Sequence, residues 1–267
     1  MKTKNRDLTA ADTSTVKTKD RYHLIDAVRG VAIISMIIYH FCFDLIVLFG
    51  RRFSWPEIPL VYIWQQSICI TFIFISGAVW SFGRRGNLKR GIFLNICGLV
   101  ITGVTFLFTP SAAVIFGVLN FIGCAILIMI PLDKALKKVN PYVGFIFSLM
   151  LFILLKHIPN HYIGIGETPF IIIPRGVYNI GVFTVLGFPH PGFSSGDFFP
   201  IFPWLFLFCA GYFFNTIIPK IGPLDKLLRL RPPILPWIGR KSIWIYMIHQ
   251  PVCYAICILL QALGVLL

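Results

Sequence analysis

The chain has 267 residues, of which 57% are hydrophobic and only 13% charged, about half the charged share of an ordinary soluble protein. Polar surface this scarce excludes a soluble globular fold, and uncharged apolar runs of about 20 residues, enough to span ~30 Å of hydrocarbon, recur along the whole chain. The net charge of +14 does not mark a nucleic-acid binder, because the Lys and Arg residues cluster in short loops between the apolar runs.

The pattern predicts an all-α, polytopic transmembrane helix bundle of about seven spans. Residues 1–22 are polar and rich in Lys and Thr, and read as a disordered basic cytoplasmic tail. Residues 23–267 form one transmembrane domain. The spans are expected at Asp26–Phe49, Pro59–Phe82, Gly91–Phe108, Ala112–Leu132, Pro141–Lys156, Phe198–Ile218 and Trp237–Leu266. The first lacks a small-residue cleavage site after it and reads as an uncleaved span. Between the fifth and sixth, residues 157–197 are apolar in places but broken by Gly and Pro, the mark of an external or re-entrant lid. Seven cysteines fall in or beside apolar runs without a CxxC pair, so neither a metal site nor a disulfide framework is expected.

Basic residues set the topology. Of 24 Lys and Arg, all but Arg51, Arg52, Lys156 and Arg175 fall on one side of this arrangement. Lys and Arg are retained on the cytoplasmic side, so the N-terminus is expected inside and the C-terminus outside. No internal repeat is visible, which weakens an inverted-repeat transporter.

Ionisable side chains within a bilayer cost roughly 2.5–3.5 kcal/mol each on insertion scales, so each needs a reason. The first span carries Asp26, Arg29, His40 and Asp44. Arg29 and His40 are three turns apart on one face, about 16 Å along the axis. Arg29 is then near the cytoplasmic surface, where it would anchor an anionic group, with Asp26 within pairing reach. His40 is near or beyond the midplane, placed as a general base. Asp44 lies one turn further on the same stripe and would orient the imidazole or stabilise its cation. In the last span, His249 and Gln250 reach a depth like that of His40, and Pro251 loosens the backbone beside them. Asn120 would line a cavity or bond between helices, and Asp197 would cap the sixth span. Glu167 and His190 read as solvated lid residues.

The run RYHLIDAVRGVAIISMIIYHF, with Asp26, Arg29-Gly30, Met36 and His40, resembles the first-helix signature of membrane acyltransferases related to heparan-alpha-glucosaminide N-acetyltransferase. The Arg29 to His40 spacing resembles the arginine–histidine motif of the wider acyltransferase superfamily. ITFIFISGAVWSFGRR, with Ser76-Gly77, SGDFFPIFPWLFLFCAG, with Asp197 and Trp204, and IGRKSIWIYMIHQPV follow in the family's order. Asn120 stands where small relatives carry a histidine. The resemblance implies acetyl-CoA or another acyl-CoA as cytoplasmic donor and a sugar or glycan acceptor across the membrane. Arg29, Asp26, Arg84, Arg85 and Lys241 would then serve the donor. His40, Asp44 and His249 would carry catalysis, and Asn120, Asp197, Trp204 and Gln250 would meet the acceptor. An integral protein of a bacterial cytoplasmic membrane is expected, and a homo-oligomer is left open. The competing reading is a proton-coupled transporter with His40, Asp44 and His249 as its relay.

Overall fold

The computed structural model describes residues 22–48 and 59–264. The expected tail up to residue 21, Arg51, Arg52 and the far ends of the first and last expected spans lie outside the described residues. Tyr22, the last residue of that tail, is buried, and its hydroxyl donates to Asp225 at 2.8 Å.

Helix α1 (His23–Phe43) runs on into a π-helical turn at Asp44–Leu48. Then come α2 (Pro59–Val79), α3 (Asn87–Phe108), α4 (Val118–Leu136) and α5 (Pro141–Leu155). Later in the chain are α6 (Ile201–Ile217), the short α7 (Gly222–Leu228) and α8 (Leu235–Arg240), and α9 (Ser242–Ala262). Among the described residues, six continuous helical stretches are long and apolar enough to cross a membrane. One of them, Pro59–Phe108, has 50 residues, or about 75 Å of helix, more than twice the hydrocarbon thickness. It holds two spans, α2 and α3, separated by the 3-10 turn Trp80–Gly86. The protein is thus an integral membrane helix bundle of about seven spans, as its apolar runs require.

Local chemistry sets several boundaries. Asn140 caps α5: its side-chain oxygen accepts from the backbone of Tyr142 at 3.0 Å and of Val143 at 3.5 Å, with Pro141 at the first helical position. The fourth helix starts at Val118 instead of Ala112, because Pro110–Ala112 forms a separate 3-10 turn. The expected last span is two helices, α8 and α9, broken at Lys241. Within residues 157–197 the bundle acquires one antiparallel hairpin, β1 (Tyr162–Ile165) and β2 (Thr168–Ile172). Gly166 turns it with a positive φ of 56°, which a residue without Cβ adopts at little cost.

Helix α6 is the most enclosed span, and its large side chains pack with α2, α4 and α5. The outer helices show apolar residues to the surroundings: Leu107 is 76% exposed and Phe108 80%. In water this would be an aggregation surface; in a bilayer it is the lipid face. Close glycine crossings fix the helices around the interior. A Cβ on Gly77 would run into the Phe208 carbonyl oxygen, and one on Gly211 into that of Phe74, so α2 and α6 touch backbone to backbone. A Cβ on Gly30 would meet the Leu235 carbonyl oxygen, and one on Gly239 that of Asp26, which presses α8 onto α1.

Candidate active site

A cavity of about 480 Å³ runs through the bundle. Along α1 it is lined by Arg29, Met36, Tyr39, His40 and Phe43, a single face at helical spacing. Gln65, Ile68, Cys69, Phe72, Ser76 and Val79 of α2 form the opposite wall. The two helices are antiparallel: Trp64 donates to Ser35 at 2.8 Å, while Phe82, beyond the other end of α2, meets the Tyr22 ring at 5.9 Å between centroids. Val79 therefore shares the Arg29 end of the cavity, and Gln65 the His40 end. Residues of α3, α4, α8 and α9 close the remaining sides.

The Arg29 end is basic. Arg90 of α3 and Arg240 of α8 line the cavity together with Arg29. Arg29 is half-buried and lies 3.5 Å from Asp26. Arg90 is exposed at the mouth, where it donates to Asn87 at 3.2 Å, and Arg240 is also exposed. The Gly30–Gly239 crossing brings Arg29 and Arg240, each the neighbour of one of these glycines, to the same place. Arg84, Arg85 and Lys241, expected to join them, do not line the cavity. Arg84 donates to Asp133 at 2.9 Å and lies over the Trp80 ring. Asp133 also takes Lys137 at 2.6 Å and the Tyr212 hydroxyl at 2.7 Å, so this cluster ties α4 to α6.

The other end is closed by the loop before α6. Ser195 bonds both backbone groups of Ile115, and the Gly196 and Phe199 amides donate to Ala113 and Phe116. Gly196, Asp197 and Phe199 line the cavity. Asp197 does not cap the sixth helix. Its Oδ2 accepts from the Val118 amide at 3.3 Å, at the N-terminus of α4, where the helix dipole favours an anion. Burial still pushes the Asp197 carboxyl up to about 6, against the opposing effect of the Val118 bond.

His40 is on the cavity wall with the His249 ring beside it, the centroids 4.9 Å apart. His249 Nδ1 is 2.6 Å from the Tyr246 carbonyl oxygen. A carbonyl can only accept, so Nδ1 carries the hydrogen and Nε2 of the neutral ring holds the lone pair. That Nε2 is buried without a hydrogen-bond partner among the described residues. Tyr246, one turn earlier on α9, lines the cavity, and its hydroxyl is within electrostatic reach of Asp197 and Cys69.

The other expected residues lie apart from the cavity lining. Asp44 accepts from Gln250 Nε2 at 2.8 Å, and no bond to His40 exists among the described residues. Asn120 is buried between α3 and α4, where it donates to the Asn95 carbonyl at 3.3 Å. Trp204 is buried against Phe152 and Phe199. Glu167 sits exposed at the hairpin tip, and His190 is exposed in the following loop. Sequence reasoning missed Arg90, Arg240, Tyr246, Cys69 and Gln65 as cavity residues. A signal existed for the arginines: Arg29-Gly30, Arg90-Gly91 and Gly239-Arg240 each pair an arginine with a glycine at a close helix crossing. Arg85-Gly86 shows the pairing alone is insufficient, since nothing approaches Gly86.

The profile of the heparan-alpha-glucosaminide N-acetyltransferase catalytic region matches residues 21–251, which takes in every wall of the cavity. No curated protein and no solved structure matches the chain. The chain belongs to the heparan-alpha-glucosaminide N-acetyltransferase catalytic family, a family of membrane acetyltransferases.

Proposed function

We propose that the protein transfers an acetyl group from cytoplasmic acetyl-CoA to a sugar or glycan hydroxyl or amine on the far side of the membrane, with His40 as general base. One observation carries the reading: a single cavity leads from three arginines, past a histidine, to a carboxylate at its other end. The bias of Lys and Arg supports a cytoplasmic arginine end. There the guanidinium groups of Arg29, Arg90 and Arg240 suit the phosphates of coenzyme A, which they bind through paired N–H donors. The mostly apolar middle of the cavity suits the thin pantetheine arm and its thioester.

The acceptor enters from the Asp197 end. Asp197 takes a hydrogen bond from an acceptor O–H or N–H and turns the reacting group toward His40. His40 removes the acceptor proton as the oxygen or nitrogen attacks the thioester carbonyl. A new acyl–oxygen or acyl–nitrogen bond forms and the acyl–sulfur bond breaks. The proton on His40 passes to the departing thiolate, so coenzyme A leaves as the thiol. His249, with its lone pair on Nε2, stabilises the imidazolium that His40 becomes. The reading extends to an enzyme of a bacterial cytoplasmic membrane, acting alone or as a homo-oligomer.

The test is purified protein in nanodiscs with radiolabelled acetyl-CoA and a mixed panel of amino sugars and glycans. Label should pass to one acceptor class in wild type and not in His40→Ala. Acceptor uptake into vesicles without acetyl-CoA would instead establish the carrier reading.

A further inference from the structure

The seam between the end of α1 and α9 holds three polar atoms that are buried without a hydrogen-bond partner among the described residues: Asp44 Oδ2, Gln250 Oε1 and His249 Nε2. Asp44 has no exposed surface, and its other oxygen accepts from Gln250 Nε2 at 2.8 Å. A carboxylate so placed is an uncompensated charge in a low-dielectric setting, one of the costliest arrangements a protein can adopt. Among the described residues no ion pair offsets it. The elements that chiefly pack on this turn among the described residues are α1 and α9. They bring the titratable groups His40, His249, Cys253 and Cys257 to it, and no cation pairs with Asp44 among the described residues. The His249 Nδ1–H is already committed to the Tyr246 carbonyl.

One proton resolves two of the three orphans. Placed on Asp44 Oδ2, it donates to Gln250 Oε1, while Gln250 Nε2–H donates to Asp44 Oδ1. Both groups are planar, and the two parallel bonds close a cyclic acid–amide pair that leaves no charge. We propose that Asp44 is a neutral carboxylic acid, bonded twice to Gln250, and that this pair fastens α1 to α9 and so holds His40 against His249. His40 is one helical turn before Asp44, and His249 is the neighbour of Gln250, so the fastening acts directly on both rings. Asp44 is thereby a positioning residue, not the carboxylate that orients the base. The positioning role rests on the proposed function; the protonation does not.

Asp44→Asn decides between the two roles, because an amide at position 44 keeps both bonds: its N–H donates to Gln250 Oε1 and its oxygen accepts from Nε2. In nanodiscs at pH 7, wild type should show an infrared carbonyl band of a protonated carboxyl group that shifts in D2O and vanishes in Asp44→Asn. Asp44→Asn should keep kcat within about threefold of wild type. Asp44→Ala and Gln250→Leu should lower kcat at least tenfold with KM for acetyl-CoA unchanged. Absence of the band overturns the proposal. So does a folded Asp44→Asn that loses activity a hundredfold or more, the outcome expected when a working carboxylate is removed. If wild type transfers no acetyl group, the catalytic reading fails on its own and the infrared band still decides the protonation.

Discussion

The imidazole rings of His40 and His249 stand 4.9 Å apart between centroids and tilted by 56°, brought together from the first and last spans. His40 faces the cavity; His249 sits behind it with one nitrogen fixed by the Tyr246 carbonyl. A base that gains a proton in a low-dielectric site needs a polar neighbour, and His249 is in contact with it.

The two rings should therefore act as a unit. His40→Ala should lower kcat by about 10²–10⁴, the usual worth of a general base. His249→Ala should lower it by about 10², with KM for acetyl-CoA unchanged. The double variant should be no worse than His40→Ala alone, since residues that act together are far from additive. Single-turnover kinetics on the four proteins measures this; losses that multiply would show two independent roles.

The arginines at the cavity mouth should separate from the other basic residues. Arg90→Ala or Arg240→Ala should raise KM for acetyl-CoA about tenfold, or ~1.4 kcal/mol, and leave kcat unchanged. A short thioester such as acetyl-pantetheine, which lacks the nucleotide, should be used equally by variant and wild type. Arg85→Ala and Lys241→Ala, which alter side chains outside the cavity lining, should leave both constants unchanged. Steady-state kinetics with both donors checks all four.

Much of this was legible in the sequence, and the limits have physical causes. Apolar runs located the spans because each must cover a fixed hydrocarbon thickness, and they placed Arg29 and His40 on one stripe of α1 because helical period is a local property. What depends on crossings was hidden. Arg240 reaches the cavity through the contact of Gly239 with α1, and Arg84 misses it because Asp133 on another helix holds it. Asp44 has the right spacing from His40, but α1 widens into a π-turn at that point and the Asp44 carboxyl meets Gln250. The hairpin between α5 and α6 escaped because its strands are short, with β2 exposed along its whole length and β1 mostly half-buried, and neither has the alternation that marks an amphipathic strand.

Asp133 should matter to stability and not to donor binding. Its carboxylate joins Arg84, Lys137 and the buried Tyr212 hydroxyl, and so couples α4 to α6. Asp133→Ala leaves Arg84 and Lys137, both substantially exposed, free to be solvated, but strands the Tyr212 hydroxyl. The expected cost is about 1.5–3 kcal/mol, the range for hydrogen bonds to a charged group. It should appear as a lower Tm in detergent with KM for acetyl-CoA unchanged. A tenfold rise in that KM would place the cluster in the donor site.

Asp197 predicts a pH dependence whose sign follows from its environment. Burial raises its carboxyl from the usual 3.8 to about 6, so it is ionised only above that value. An ionised carboxylate accepts the acceptor's O–H or N–H, and a protonated one loses that capacity at the bonded oxygen. KM for the acceptor should therefore rise as pH falls through about 6, while KM for acetyl-CoA stays constant. Asp197→Asn retains an oxygen for the Val118 amide, so α4 keeps its cap, but it has nothing to titrate and its acceptor KM should be flat across this range. Stability runs the other way. The folded protein holds this proton more tightly than the unfolded chain, so the contribution of Asp197 is greatest below 3.8 and declines as pH rises to about 6. The difference in Tm between wild type and Asp197→Asn, followed from pH 4 to 7, should shift against wild type with rising pH. A difference that moves in the other direction would mean that Asp197 is held as an anion by a partner, and its role in orienting the acceptor would have to be abandoned.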